Sequence, residues 1–242
     1  ETEMENQALL RTSCEQMGVK LTDGMVRQFQ TYLSLLLEWN QKMNLTAITE
    51  PKEVIQKHFV DCLSVLPYLQ LQGRERMIDV GTGAGFPGIP IKIACPHLQL
   101  TLLDALQKRI TFLETVTAQL ALTDVFCVHS RAEDGGQHAA YREQFDVCVS
   151  RAVANLTVLA EYCLPFVRVG GRLAALKGPD AERETLEAKG ALEKLGGTVE
   201  RIIPVEIPFS DLRHTLVLIQ KSAPTPKAYP RKAGKIAKKP LQ

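Results

Sequence analysis

The sequence predicts an α/β fold: a mostly parallel, seven-stranded sheet with an antiparallel last strand, covered by helices and preceded by a helical cap. Short strand-like segments alternate with longer helix-like segments from residue 76 onward, which is typical of a parallel sheet covered on both faces. The last two extended segments, 198–208 and 214–221, are joined by a loop too short for a helical crossover, so we expect antiparallel pairing. A glycine-rich turn after the first strand is the third indication.

The apolar pattern gives the order of the elements. The expected strands are 76–80, 98–105, 125–130, 145–152, 171–178, 198–208 and 214–221. The expected helices between them are 89–94, 108–120, 156–167 and 180–196. Before them, apolar side chains between Val26 and Met43 recur at spacings of three, four and seven residues, with Thr22 as the predicted N-cap. A further helix begins near Pro51 and runs towards Pro67.

Composition divides the chain into three segments. We expect a helical cap over residues 1–72, the sheet domain over 73–221 and a basic arm over 222–242. The arm carries six Lys or Arg residues, four prolines and no acid, whereas residues 1–221 have a net charge of −4. A basic, proline-rich arm of this kind predicts an irregular segment that contacts a polyanion.

The overall composition is that of an ordinary globular protein, with 45% hydrophobic and 23% charged residues among 242. No apolar run approaches the roughly 18–20 residues of a membrane span, and the first residues, ETEMENQ, are acidic where a signal peptide is basic. We therefore expect a cytoplasmic protein that does not contact a membrane. The six cysteines form no C-x-x-C pair, which favours free buried thiols over a disulfide framework or a metal site.

The glycine turn lies in the stretch MIDVGTGAGFPGIP, residues 77–90. A dinucleotide fingerprint needs a glycine where Phe86 stands, and a phosphate loop needs a lysine before Lys92. The pattern is D-x-G-x-G-x-G, and its members are Asp79, Gly81, Gly83 and Gly85. It resembles the first motif of the class I S-adenosylmethionine-dependent methyltransferases, which have a Rossmann-like fold. The alternative is that these glycines only tighten a turn.

Further carboxylates fit the same cofactor. Asp104 ends the second strand, where a carboxylate can accept both ribose hydroxyls; the alternative is a helix cap. Asp79 would serve the cationic amino-acid part of the cofactor. Ala132 and Glu133 follow the third strand, where this fold places its adenine contacts, although Glu133 alone is also compatible with a solvated surface charge. The antiparallel final pair distinguishes a methyltransferase sheet from a dehydrogenase sheet.

The residues after the fourth strand narrow the choice of methyl acceptor. The segment FDVCVSRAVANL has neither the Pro-Cys loop of C5-pyrimidine methyltransferases nor the [DN]-P-P-[YF] motif of exocyclic-amine methyltransferases. Cys148 lies within the strand, which favours core packing. A site without a covalent nucleophile or general base suits an acceptor that loses no proton, such as N7 of guanine. The segment is thus compatible with N7 of guanine as the methyl acceptor, but it does not distinguish N7 from other acceptors that lose no proton.

The sequence resembles one family over nearly its whole length: the RsmG family (glucose-inhibited division protein B) of bacterial small-subunit rRNA guanine-N7 methyltransferases. The segments that carry the resemblance are LLEWNQKMNLTAI, HFVDCL, DVGTGAGFPGIPIKI, LLDALQKRITFL, FDVCVSRAVANL, LKG and YPRKAGKIAKKPL. The departures are Cys62, Thr82 and Ala105, at positions where many members have serine. The resemblance implies methylation of N7 of a guanine in the decoding-region loop of 16S rRNA, by a monomer that uses S-adenosylmethionine and no metal.

The resemblance also assigns roles to residues. It places Gly81, Phe86, Ala132 and Glu133 at the cofactor, and Arg151 beside both cofactor and acceptor base, where it positions the base without acting as a general base. The residues that it implies in RNA binding are Arg131, Arg151, Arg213, Arg231 and Lys232. A structural ion pair is the alternative for the arginines.

Three residues of the helical cap have structural interpretations. His58 and Asp61 are three residues apart on a predicted helix, so we expect them to hydrogen-bond each other. Trp39 is expected to pack the cap onto the sheet domain.

Two alternative functions remain open at this point. One is a methyltransferase of the same fold that acts on a small molecule or a protein, with a closed active site and a dispensable arm. The other is a non-catalytic nucleotide-binding or ribosome-associated module. The intact D-x-G-x-G-x-G motif together with Asp104 argues against this second alternative.

Overall fold

The computed structural model describes residues 2–151 and 153–242, and its sheet has seven strands in the order β3-β2-β1-β4-β5-β7-β6. The strands are β1 (Arg76–Val80), β2 (Gln99–Asp104), β3 (Val125–His129), β4 (Phe145–Arg151), β5 (Val167–Lys177), β6 (Gly197–Glu206) and β7 (Arg213–Lys221). Neighbouring strands from β3 to β5 are parallel, and β7 is antiparallel to both β5 and β6. The predicted fold class is therefore confirmed.

Helices cover both faces of this sheet. The helices of the sheet region are α6 (Gly88–Ala94), α7 (Gln107–Gln119), α8 (Ala132–Gly135), α9 (Leu156–Cys163), α10 (Ala181–Glu187) and α11 (Lys189–Leu195). One buried cluster joins the sheet to α6, α7 and the N-terminal helices, and a second joins its other face to α9, α10 and α11. The N-terminal segment thus shares a core with the sheet. The division of the chain into three domains stays a prediction.

The N-terminal segment begins with two helices and continues as a broken third. Its elements are α1 (Glu3–Gln16), α2 (Asp23–Met43), α3 (Pro51–Val54), a π-helical turn (Ile55–Val60), α4 (Asp61–Leu63) and α5 (Leu66–Leu69). The predicted N-cap is confirmed, because the Thr22 side chain accepts from the Met25 backbone N–H. Trp39 of α2 packs against Phe112 of α7 with ring centroids 5.6 Å apart, which confirms its predicted role between cap and sheet.

The π-helical turn interrupts the single helix predicted from Pro51 onward. Six residues, IQKHFV, adopt the wider winding between α3 and α4. One extra residue in a turn rotates every side chain that follows relative to an unbroken α-helix, and such turns occur frequently at functional sites. The turn contains His58 and is followed directly by Asp61.

Other predicted helices differ in their ends. The segment 180–196 forms two helices that meet at Ala188, rather than one. The predicted helix 156–167 ends as α-helix at Cys163, where a 3₁₀ turn containing Pro165 begins. The loop expected after β3 contains α8, a single helical turn.

The C-terminal arm is irregular apart from α12 (Lys235–Lys238), but it packs against the body. The Arg142 guanidinium donates to the backbone carbonyls of Thr225, Pro226 and Tyr229. Glu161 of α9, whose side chain is 1% exposed, accepts hydrogen bonds from the Arg231 guanidinium with both carboxylate oxygens. Hydrogen bonds to the body therefore fix the backbone of the arm in its first half, up to Arg231.

The cysteines are free thiols, and Cys14, Cys62, Cys148 and Cys163 are buried. Cys148 lies inside β4 with no exposed surface, which confirms its predicted place in the core. Within residues 2–151 and 153–242, no helix is both long and apolar enough to cross a membrane.

Candidate active site

The carboxyl ends of four parallel strands meet at one edge of the sheet. Asp79 lies beside Leu102, and Asp104 lies beside His129. Arg151 is the last residue of β4. Ligands of open α/β sheets bind outside this edge, where the strand order reverses between β1 and β4. The predicted cofactor residues are therefore brought together.

The turn after β1 leaves open space for a ligand at one of its glycines. Gly81 and Gly83 have φ values of +68° and +61°, a conformation that favours glycine. A Cβ placed on Gly83 would meet no atom within 4 Å, and one on Gly81 would meet Val153 at 3.0 Å. Gly83 thus borders a cradle, and Gly81 lies under the loop that follows β4.

Gly85 has a packing role that the motif alone does not predict. It is buried, and a Cβ there would lie 2.5 Å from the Tyr32 hydroxyl and 2.6 Å from Ile89. Its N–H donates to the Thr82 carbonyl, and its own carbonyl accepts from the Ile89 N–H. This glycine therefore lets α2 approach the turn closely, and its contact with a cofactor stays a prediction.

Asp79 is fully buried beneath the turn, with one carboxylate oxygen unpartnered. Its Oδ2 accepts from the Thr82 hydroxyl at 2.7 Å and from the Gly88 N–H at 2.8 Å. Its Oδ1 has no hydrogen-bond partner among the described residues. Burial raises the pKa of this carboxyl to about 7. A buried acceptor without a donor fits a cationic group that would arrive with a ligand.

Asp104 faces the glycine turn from the end of β2. Its Oδ2 accepts from the Gly83 N–H at 2.9 Å, and its Oδ1 accepts from the Leu106 N–H at 3.0 Å. Arg109 approaches Oδ1 at 3.5 Å. The carboxylate stabilises the turn before α7, but the helix cap that was its alternative is wrong, because Leu106 is the N-cap of α7 and no side chain caps this helix. Asp104 also borders the cradle at Gly83, and its contact with the ribose stays a prediction.

The predicted adenine contacts lie in α8. Ala132 is its first residue, and Glu133 is 8% exposed. A buried carboxylate of this kind is not the solvated surface charge that was the alternative for Glu133, so that alternative is wrong. Whether these residues contact a cofactor stays a prediction.

Phe86 joins the glycine turn to the N-terminal segment. Its ring stacks on the His58 ring with centroids 4.4 Å apart and an interplanar angle of 13°. The Arg151 guanidinium lies 5.0 Å from the same ring, within cation–π distance. Phe86 is thus a shared wall between the predicted cofactor edge and the predicted acceptor residue.

Arg151 is held by the N-terminal segment. Its Nη1 donates to Asp61 Oδ2 at 3.0 Å and to the Lys57 carbonyl at 3.2 Å, and its Nη2 donates to His58 Nδ1 at 2.9 Å. The side chain is 18% exposed. The structural alternative for Arg151, an ion pair, is therefore present. Its predicted contact with the acceptor base remains a prediction, and two of its five N–H groups have no acceptor in these contacts.

The expected hydrogen bond between His58 and Asp61 is wrong. The π-helical turn directs both side chains to Arg151, and Asp61 Oδ1 binds His214 Nδ1 at 2.6 Å instead. His214, the second residue of β7, was not predicted as a site residue, because it lies 153 positions from Asp61 and belongs to no local motif. Only its place at the start of a strand antiparallel to β5 indicates this edge of the sheet.

Comparison with known proteins supplies the family. The family model for rRNA small subunit methyltransferase G matches residues 25–212. A protein of Alkaliphilus metalliredigens named ribosomal RNA small subunit methyltransferase G is 51% identical over 99% of this chain and 100% of its own length. A protein of Clostridium botulinum with the same name is 50% identical over 97% of this chain and 98% of its own. The chain belongs to the rRNA small subunit methyltransferase G family.

Solved structures agree on the fold. The chain superimposes on TYW2 of M. jannaschii, solved in complex with AdoMet, with a TM-score of 0.55, 13% identity and coverage of 72% of this chain and 79% of that one. An S-adenosylmethionine-dependent methyltransferase from Aquifex aeolicus gives a TM-score of 0.53, 19% identity and coverage of 73% and 96%. At this identity the likeness shows a shared fold, and the predicted methyltransferase fold class is confirmed.

The RNA-binding residues predicted from the rRNA small subunit methyltransferase G family are only partly free to bind. Arg131, Arg213 and Lys232 are exposed. Arg231 instead directs its guanidinium to the buried Glu161 carboxylate, so the structural ion pair that was the alternative is present, and the contact of Arg231 with RNA stays a prediction. Among the described residues, no three His, Cys, Asp or Glu side chains cluster as metal ligands do.

Proposed function

We propose that this protein transfers a methyl group from S-adenosylmethionine to N7 of a guanine in the decoding-region loop of 16S rRNA. Membership of the rRNA small subunit methyltransferase G family supports the reaction class. The observation that carries the cofactor assignment is the edge formed by Asp79, Asp104 and Gly83. A buried carboxylate oxygen without a donor there lies beside a turn with open space.

The residues of this edge fit the parts of the cofactor. Asp79 Oδ1 would accept from the ammonium of the amino-acid part, directly or through water. Asp104 would accept from the ribose hydroxyls, and Gly83 leaves room for the backbone to approach the ligand. Ala132 and Glu133 would border the adenine. When bound, S-adenosylmethionine supplies an electrophilic methyl group on a positively charged sulfur.

The transfer needs positioning rather than proton removal. The N7 lone pair forms the new bond to the methyl carbon, the carbon–sulfur bond breaks, and the positive charge passes to the purine. No proton leaves N7, so no general base is required. Arg151 has two N–H groups left for the acceptor, and O6 of guanine is an acceptor beside N7. We assign Arg151 the role of orienting the base, and Phe86 that of a wall behind it.

The RNA partner is assigned to the exposed cations. Arg131, Arg213 and Lys232, together with the arm lysines at 227, 235, 238 and 239, would contact phosphates of 16S rRNA in the small ribosomal subunit. Since this substrate is cytoplasmic and the site is built within one chain, we propose that the protein acts in the cytoplasm as a monomer.

Transfer of tritiated methyl groups to separated acceptors tests this proposal. The purified protein and labelled S-adenosylmethionine are incubated with small ribosomal subunits from a strain that lacks this methyltransferase, with naked 16S rRNA, or with ribosomal protein. We expect label in rRNA and none in protein. Label in protein or in a small molecule would support the alternative methyltransferase, and cofactor binding without transfer to any RNA would contradict the proposed acceptor.

A further inference from the structure

Three mostly buried polar side chains hold Arg151 directly or through one another, and they have no part in cofactor binding as assigned above. They are His58 and Asp61 of the N-terminal segment and His214 of β7. All are mostly buried, so their hydrogen bonds replace contacts with water and are costly to break. The surrounding residues therefore fix the guanidinium from two elements other than the strand that carries it.

Asp61 is the centre of this cluster. Its Oδ2 binds Arg151 Nη1 at 3.0 Å and its Oδ1 binds His214 Nδ1 at 2.6 Å. Burial alone would raise the pKa of Asp61, but these two contacts and the charges of the partners outweigh it and lower the pKa below its usual value. The carboxylate is thus ionised and has one oxygen on each partner, which fixes the position of Asp61 relative to both β4 and β7.

His58 contributes an acceptor and a flat surface. Because its Nδ1 accepts from Arg151, the neutral ring carries its proton on Nε2, which donates to the Thr46 hydroxyl at 2.9 Å. Burial and the Arg151 charge lower the pKa of His58 to about 3, so the ring stays neutral. The same ring stacks on Phe86. His58 therefore fixes both the guanidinium and the wall behind it.

We propose that Asp61 and His58 are positioning residues that hold the Arg151 guanidinium in the orientation that meets the acceptor base, and that His214 holds Asp61. This inference rests on the proposed function, because Arg151 meets the base only if the base docks at this edge. We call Asp61, His58 and His214 the clamp. The clamp leaves Nε–H and one Nη2 hydrogen of Arg151 for the acceptor. It also makes the N-terminal segment, through its π-helical turn, a part of the acceptor site.

Asp61→Asn tests the clamp, with Asp146→Asn as the matched control. Asp146 also pairs with an arginine, Arg168, but at the opposite end of β4. Misplacement of a positioning group by about 1 Å costs on the order of 100-fold in rate. We therefore expect kcat for methyl transfer to small ribosomal subunits to fall by about that factor in Asp61→Asn, with the Kd for S-adenosylmethionine within about twofold. Asp146→Asn should leave kcat unchanged.

His58 is tested by a pair of variants, which also serve if Asp61→Asn folds poorly. The amide oxygen of His58→Asn lies near the position of Nδ1 and keeps an acceptor for Arg151, whereas His58→Leu removes it. A hydrogen bond to a charged group corresponds to about tenfold or more in rate, so the Asn variant should retain kcat that far above the Leu variant. Equal activity of the two would contradict the role of His58.

The clamp also has a readout that needs no acceptor. Restrained rotation of the guanidinium gives resolved Nη–H signals in ¹⁵N nuclear magnetic resonance, and we expect them for Arg151 in the wild type and not in Asp61→Asn. Averaged signals in the wild type, or wild-type kcat in Asp61→Asn, would overturn the inference. A wild type with restrained signals but no methyl transfer would contradict the proposed function and leave the clamp in place.

Discussion

At the scale of single residues, the burial of Asp79 lowers the stability of the ligand-free protein at high pH and provides an acceptor for the cofactor. The pKa of Asp79 is about 7 in the folded chain, far above the ordinary value of 3.8. Between these two pH values the folded chain therefore keeps the Asp79 proton, whereas the unfolded chain has lost it. The contribution of Asp79 to stability is therefore complete below pH 3.8 and is lost as pH rises through 7. Above pH 7 the ligand-free protein contains a buried carboxylate with only one of its two oxygens hydrogen-bonded. Such a destabilising group is typical of functional sites.

Asp79→Asn removes this charge and keeps an oxygen for Thr82 and Gly88. We expect the ligand-free variant to have a higher Tm than the wild type at pH 8, because the ionised carboxylate is gone. Its affinity for S-adenosylmethionine should fall by about tenfold or more, since a charged hydrogen bond is lost. In the wild type, affinity should rise with pH through 7. Calorimetry across pH 6–8.5 measures both, and an affinity independent of pH in the wild type would contradict the assignment.

Gly83 offers a sharper test of the cradle, because Gly234 is its matched control. Both have positive φ and no neighbour within 4 Å of an added Cβ, so Ala at either position costs the same backbone strain, about 1–2 kcal/mol. Only Gly83→Ala places a methyl group in the cradle. We expect it to raise the Kd for S-adenosylmethionine about tenfold by contact with the ligand, whereas Gly234→Ala leaves the Kd unchanged. Equal Kd values in the two variants would place the cofactor elsewhere.

At the scale of elements, the arm is a structural part of the sheet domain up to Arg231. Removing this guanidinium leaves the buried Glu161 carboxylate without its charged partner, and a broken buried pair costs about 3–5 kcal/mol. We expect Arg231→Ala to lower the free energy of unfolding by about that much in urea titrations. The neighbouring exposed Lys232 is the control: Lys232→Ala should leave stability unchanged and weaken RNA binding. A stable Arg231→Ala variant would show that the arm is not fixed in solution.

The helices and strands also show which parts of the fold could be predicted from the sequence. Strand order, the antiparallel final pair and the cap of α2 were all predictable, because apolar periodicity and local capping chemistry determine them. The π-helical turn at Ile55–Val60 was not, since its residues suit an α-helix and the turn serves contacts of His58 and Asp61 with the sequence-distant Arg151. The docked arm was missed because its anchors, Arg142 and Glu161, lie far away in sequence.

At the scale of the whole molecule, the helical N-terminal segment and the sheet meet at one edge, where His58 and Asp61 contact Arg151 at the end of β4. The cofactor side of that edge follows a recurrent motif, so Asp79, Gly83 and Asp104 could be predicted. The acceptor side is assembled around Arg151 from three segments that are distant in sequence. Of its residues, only Arg151 itself could be predicted. His214 and the clamp emerge only from the fold, because no spacing in the sequence brings residues 61, 151 and 214 together.

The charge of the molecule is distributed unevenly between the body and the arm. The body up to residue 221 has a net charge of −4, and the arm has six cations and no acid. An acidic body with a basic arm directs a polyanion to one side rather than over the whole surface. The arm packs beside α8 and α9, where the Gln137 side chain donates to the carbonyls of Lys227 and Pro230.

The most direct test of the central claim is the identity of the methylated nucleoside. Small ribosomal subunits from a strain that lacks this methyltransferase are labelled by the purified protein, and the rRNA is digested to nucleosides and separated. We expect the label to be 7-methylguanosine at a single site in the decoding-region loop. Label in a base methylated on carbon or on an exocyclic amine would contradict this claim, because those reactions need a proton acceptor or a nucleophile that the assigned roles of Arg151 and its neighbours do not include.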